Sequence, residues 1–150
     1  MTSPRTVFNH VGLCVGDRER SRRFYEGLFG FEFWWELELP DEGTAQLLQL
    51  VKPIGVRATY LVRDGLVLEL IDYSKREVQT GRERVMDEVG LTHISLSVTA
   101  LAGVLERVED FGGSVVKQTV SGQFAMIRDP DGQLIELLPD TWLAALPPRP

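Results

Sequence analysis

The chain has one cysteine, Cys14, in 150 residues. A single thiol excludes an internal disulfide, so the fold must hold by packing and hydrogen bonding. Long apolar runs are also missing. No segment approaches the roughly 20 apolar residues of a membrane span. The start, Met1-Thr2-Ser3-Pro4-Arg5, lacks the apolar core of a secretory signal. These absences predict a cytoplasmic protein with no membrane partner. Basic charge is scarce too: the net charge is −6 and the pI about 4.9. That balance argues against nucleic-acid binding, which needs clustered Lys and Arg. It leaves room for a small anionic substrate, because a bound metal ion can dominate its local field. Histidine is rarer still, with only His10 and His93.

What is present is ordinary for one globular domain, at 43% hydrophobic and 25% charged residues. The run 7–15 alternates as a strand. Asp17 reads as a helix cap, Phe24, Tyr25, Leu28 and Phe29 recur at helical spacing, and Gly30 closes the helix. Strands are predicted over 31–39, 56–62 and 66–71, the last two joined by the Asp64-Gly65 turn. Between them, 41–51 reads as a short helix ended by Pro53 and Gly55. Residues 73–90 read as a charged connector with a helical turn near 84–88. The pattern then restarts: a strand over 91–98, Thr99 as a cap, a helix from Leu101 to Phe111, and strands over 114–117, 123–128 and 134–138. Asp129-Pro130-Asp131-Gly132 is a turn. The tail from Pro139 is expected to fray or to dock on a partner.

The restart is a repeat. His10-Val11-Gly12-Leu13-Cys14-Val15 matches His93-Ile94-Ser95-Leu96-Ser97-Val98. Asp64-Gly65-Leu66-Val67-Leu68-Glu69-Leu70 matches Asp131-Gly132-Gln133-Leu134-Ile135-Glu136-Leu137. Each half opens on a His strand and closes on a Glu strand. The histidines lie 83 residues apart and the glutamates 67, so the first half carries about 16 extra residues near 40–55. The reading is an α+β domain covering 1–150: two tandem βαβββ modules, about 6–73 and 91–138, forming a cup-shaped mixed sheet with helices outside.

Strand parity sets His10, Glu69, His93 and Glu136 opposite their apolar neighbours, on the side away from the helices. A carboxylate on a central strand is costly unless solvated, paired or bound to a cation. Two imidazoles and two carboxylates suit a divalent ion: nickel, cobalt, zinc, manganese or iron. Such an ion polarises a substrate carbonyl, and a nearby glutamate can then shuttle the proton on the adjacent carbon.

With these residues in place the chain resembles the vicinal oxygen chelate superfamily, which includes glyoxalase I, methylmalonyl-CoA epimerase, extradiol dioxygenases and the bleomycin and fosfomycin resistance proteins. The segments FNHVGLCVGD, RFYEGLFGF, GLVLELID, LTHISLSV and RDPDGQLIELLP carry the resemblance over residues 7–138. It implies His10, Glu69, His93 and Glu136 as metal ligands, with Glu136 the principal base and Glu69 its partner. The full four-ligand set favours the glyoxalase and epimerase branches, isomerases or lyases that move a proton next to a metal-bound carbonyl. It also implies a small-molecule substrate, such as a thiol adduct or an acyl-CoA, and a homodimer to which Trp142 and Leu143 contribute. An iron-dependent ring-cleaving dioxygenase and a non-catalytic drug- or metabolite-binding protein are the alternatives. The chain departs from glyoxalase I in its insertion at 41–51 and in lacking an evident basic set for a glutathione carboxylate.

Other residues stand near this frame. Trp34, Trp35, Tyr60, Phe124 and Met126 can wall a cavity or simply pack. Adjacent Trp34 and Trp35 should face opposite sides of their strand, so that at most one lines the site. Arg63 and Arg128 flank the two turns, and Lys75, Arg76, Arg82 and Arg84 stud the connector. Cys14 shares the His10 face and has no expected catalytic role.

Overall fold

A computed structural model describes residues 5–148. The described residues form two compact units. The first comprises residues 5–18 and 30–78, and the second residues 19–29 and 79–148.

The first unit holds β1 (Val11–Cys14), β2 (Glu32–Glu38), α2 (Asp41–Leu48), β3 (Val56–Arg63) and β4 (Leu66–Tyr73), with strand order β1-β4-β3-β2. β1 runs parallel to β4, and the other pairs are antiparallel. The Asp64-Gly65 turn forms as expected, because both residues take positive φ, 47° and 80°. α2 occupies the insertion, kinks at Glu42 and Gly43, whose φ/ψ are not helical, and ends at Leu48 rather than Val51, with Gln49 in the left-handed region as its C-cap. Its Ala45 packs with Ile54 and Val56, flanked by Leu39, Leu48, Leu50, Ile71 and Tyr73, so the added segment brings its own small core. Asp41 ties it down by accepting from the backbone N–H groups of Gly55 at 2.9 Å and Ile54 at 3.3 Å.

The second unit repeats the topology. It holds β5 (His93–Val98), α3 (Leu101–Arg107), β6 (Ser114–Val115), β7 (Ala125–Arg128) and β8 (Leu134–Pro139), in the order β5-β8-β7-β6. The βαβββ order expected from the repeat is therefore present twice, as two four-stranded mixed sheets. Helix α1 (Arg18–Phe29) follows β1 in the chain, yet from Glu19 onward it belongs to this second unit. Phe24 and Tyr25 are fully buried there. Burial of each aromatic side chain is worth about 2–3 kcal/mol. Tyr25 Oη donates to Asp129 Oδ2 at 2.8 Å. Asp129 Oδ1 also accepts the Asp131 and Gln133 N–H groups, which shapes the Asp129–Gly132 turn. Arg20 and Ser21 donate to the Asp131 carboxylate.

Three local expectations change. Thr99 does not cap α3: Ala100 holds that position without a side-chain hydrogen bond. At 84–88 only a turn at 86–87 forms, without a helix, and Arg84 donates to the carbonyl of Leu91 and pairs with Glu88. The tail forms a short helix, α4 (Thr141–Ala145), because Asp140 caps it by accepting from the Thr141 N–H at 2.9 Å. Among the described residues no helix is long and apolar enough to cross a membrane.

Candidate metal centre

Each unit presents one His–Glu pair. In the first, the parallel pairing of β1 with β4 sets Gly12 opposite Glu69, and His10 lies two residues before Gly12. His10 Nε2 reaches Glu69 Oε2 at 3.0 Å. In the second, β5 and β8 set Ser95 opposite Glu136, and His93 lies two residues before Ser95. His93 Nε2 faces Glu136 Oε2 at 3.6 Å.

Both imidazoles are oriented in the same way. His10 Nδ1 lies 2.9 Å from Asn9 Oδ1, and His93 Nδ1 lies 2.9 Å from Thr92 Oγ1. Asn9 Oδ1 can only accept, so the His10 proton belongs on Nδ1. The neutral ring then turns its lone pair out at Nε2, the form that ligates metal. Thr92 Oγ1 can accept in the same way, and that arrangement gives His93 the same tautomer.

The carboxylates differ in their settings. Glu69 is 8% exposed, between buried Leu68 and Leu70 on the opposite face. Its Oε1 accepts the Tyr60 hydroxyl at 2.7 Å, which leaves Oε2 toward His10. Burial, then the Glu69 hydrogen bond, pushes the Tyr60 hydroxyl up to about 12, so it stays a donor at neutral pH. Gly12 makes room for the carboxylate, because a Cβ there would sit 3.3 Å from Glu69 Oε2. Glu136 is more open, with a third of its side chain exposed, and its Oε2 accepts the Ser95 hydroxyl at 2.7 Å.

Nitrogen and oxygen donors facing one another across a short gap fit a borderline divalent cation. The structure brings the four expected ligands together in twos. Among the described residues no group of three or more His, Cys, Asp and Glu side chains is gathered to hold a metal.

The tryptophans correct their expectation. Phe33 pairs with Leu61 and Trp35 with Tyr60, so Trp34 is an extra residue in a β-bulge. A bulge sets two residues against one and breaks the strict alternation of a strand. Both indoles consequently approach Tyr60: Trp35 stacks on it at 4.9 Å and 9°, and Trp34 meets it edge-on at 6.3 Å and 78°. The bulge depends on a register set by β3, which strand parity alone does not carry. Phe124 is exposed, and Met126 lies opposite Glu136 in the β7–β8 register.

The arginines and lysine have structural partners. Arg63 donates to the carbonyl of Gly30, and Arg128 to the carbonyls of Gly132 and Arg84. Arg82 pairs with Glu88, Lys75 lies 3.8 Å from Asp41, and Arg76 lies over the Tyr73 ring. Cys14 is exposed.

Comparison with known proteins agrees with this architecture. The lactoylglutathione lyase of Pseudomonas putida is 28% identical over 148 residues, covering 90% of this chain and 86% of the relative. A glyoxalase family protein from Bacillus cereus superposes with a TM-score of 0.75 at 16% identity, over 91% of this chain and 96% of that one. The fosfomycin resistance protein FosX of Listeria monocytogenes, solved with Mn(II) and sulfate, gives a TM-score of 0.61 at 18% identity over 93% of each chain. The model of the Glyoxalase/Bleomycin resistance protein/Dioxygenase superfamily matches residues 7–137, and the chain belongs to that superfamily.

Proposed function

We propose that this protein is a divalent-metal-dependent lyase of glyoxalase type, with His10, Glu69, His93 and Glu136 as its metal ligands. The observation that carries the reading is the matched pair of His–Glu contacts, each with Nδ1 tied to the preceding side chain and Nε2 turned to a carboxylate. Similarity to a lactoylglutathione lyase over most of both chains supports the reaction class and a thiol-adduct substrate.

The bound metal supplies a Lewis acid that acidifies the carbon next to a substrate carbonyl. The chain's own groups then divide the work. Buried Glu69, held by Tyr60, is the fixed carboxylate. Glu136 is the more accessible of the two and takes the proton from one substrate carbon and returns it to the next. Ser95 orients Glu136 through Oε2, which leaves Oε1 for the substrate proton. A homodimer in the cytoplasm belongs to the same proposal.

Elemental mass spectrometry on protein purified without a metal-affinity tag tests the reading, beside the His10→Ala/His93→Ala double variant. The expected result is stoichiometric nickel, cobalt, zinc or manganese, lost in the variant, with isomerisation of a glutathione hemithioacetal by the metal-loaded protein. Iron with oxygen uptake on a catechol would replace this reading with a ring-cleaving dioxygenase. Absence of metal after reconstitution of folded protein would leave a binding protein.

A further inference from the structure

We infer that Trp34, Trp35 and Tyr60 form a stacking subsite for a flat, π-bonded group on the substrate, with the substrate's polar end at His10 and Glu69. The inference rests on the proposed role of that pair and adds the class of group carried beside it.

The register runs straight across the first sheet. Gly12 pairs with Glu69, Glu69 with Tyr60, and Tyr60 with Trp35. Residues paired in this way project from the same face. The polar pair and the aromatic group are thus neighbours on one surface, and the His10 ring itself meets Tyr60 edge-on at 5.6 Å. The bulge at Trp34 adds a second indole to that surface. Bulges are common beside functional sites because they re-aim a side chain.

The rings are open and pre-set. Trp34 is 59% exposed and Trp35 42%. Leaving two indoles in water forgoes much of the burial they offer. Their planes meet at 71°, which gives a floor and an upright wall. Aromatic rings prefer stacked and edge-on neighbours, and this corner offers one of each. Tyr60 is fixed from the other end by its hydrogen bond to Glu69, so the Trp35–Tyr60 stack is anchored to the polar pair. An amphiphilic molecule with adjacent oxygens at one end and a planar group at the other matches both halves. A saturated ring of similar size also buries apolar surface there but gains nothing from stacking.

The test is NMR of the tryptophan indole N–H groups in the full chain, assigned with Trp34→Phe and Trp35→Phe. The chain has three tryptophans, and Trp142, on α4 of the second unit, is the internal control. Phenylglyoxylate, cyclohexylglyoxylate and pyruvate are titrated into chelator-treated protein and into zinc-loaded protein. The expected result is saturable movement of the Trp34 and Trp35 signals, with phenylglyoxylate bound at least about fivefold more tightly than cyclohexylglyoxylate. Trp35→Ala abolishes that preference, and Trp34→Ala, at the more exposed position, reduces it. Equal affinity for the two rings, or equal movement of Trp142, would overturn the subsite. Indole signals that move on dilution but not with the probe would also overturn it, and would mark a contact between copies. Zinc that strengthens none of the three 2-oxo acids would instead count against the metal reading, while the phenyl preference in chelator still decides the subsite.

Discussion

Ser95 Oγ donates a 2.7 Å hydrogen bond to Glu136 Oε2 across the β5–β8 register. Gly12 holds the matching place opposite Glu69, and there the hydroxyl comes from Tyr60 on the other neighbouring strand. Each carboxylate thus receives one O–H donor, from opposite sides in the two repeats. Donors of this kind fix a ligand's orientation, and their loss typically costs about 10–100-fold in metal affinity or activity. Ser95→Ala and Tyr60→Phe are each expected to weaken metal binding about tenfold in a chelator competition. Ser95→Ala should lower kcat as well, since Glu136 is the proposed base. Unchanged affinity and kcat in both variants would reduce the two hydroxyls to packing details.

Gly12 marks a closer fit than its partner Ser95. A methyl group there would meet Glu69 Oε2 at 3.3 Å and Ile71 Cδ1 at 3.6 Å. The contact is tight, but the carboxylate can give by a few tenths of an ångström. Gly12→Ala is therefore expected to cost less than about 1 kcal/mol of stability. It should weaken metal binding about tenfold, because it displaces the oxygen that faces His10. Thermal unfolding and chelator competition on the same preparation separate the two effects. A large drop in Tm with metal affinity intact would contradict this account.

The repeat made much of this visible in advance. Both His–Glu pairs occupy the matched positions, the insertion forms α2, and β3 and β4 join at Asp64-Gly65. These features follow from local chemistry: a period, a turn type, an excess of residues. What escaped depends on partners distant in the chain. An amphipathic helix does not say which sheet it covers, so the grouping of residues 19–29 with the second unit was not legible. Nor was the bulge at Trp34, which exists only against Tyr60 and Leu61. The hydroxyls on the two carboxylates were hidden for the same reason. Tyr60 lies nine residues before Glu69 and Ser95 lies 41 before Glu136. Nor was the short helix α4 legible, because it hangs on Asp140 accepting from the Thr141 N–H.

Gly113 is a packing requirement of the second unit. A Cβ at this position would fall 2.5 Å from the Phe24 ring, 2.6 Å from the carbonyl oxygen of Arg128 and 3.0 Å from Val108. Phe24 and Val108 are fully buried and the carbonyl is backbone, so none can yield cheaply. Gly113→Ala is expected to destabilise by about 2–3 kcal/mol in urea unfolding. The loss should appear in stability rather than in metal affinity of the folded fraction. A neutral substitution would mean that α1 is packed more loosely than its contacts here imply.

Asp129 offers a test by pH. Burial is the leading cause that raises its carboxyl above the ordinary value, and it outweighs the hydrogen bonds from Tyr25, Gln133 and Asp131. The unfolded chain releases this proton near the usual aspartate value, about 3.9. Between that value and the raised folded one, the native state holds more protons than the unfolded state. Stability from this group is then greatest below the unfolded value and falls as pH rises through the folded one. Asp129→Asn keeps an acceptor for the two backbone N–H groups and removes the titration. The amide that replaces the carboxylate can also donate to the Tyr25 oxygen. The stability of wild type relative to D129N, from urea unfolding at a series of pH values, is expected to decline from about pH 3 upward and then level off. A difference that rises with pH would show that Asp129 is stabilised as the anion, with its hydrogen bonds outweighing its burial.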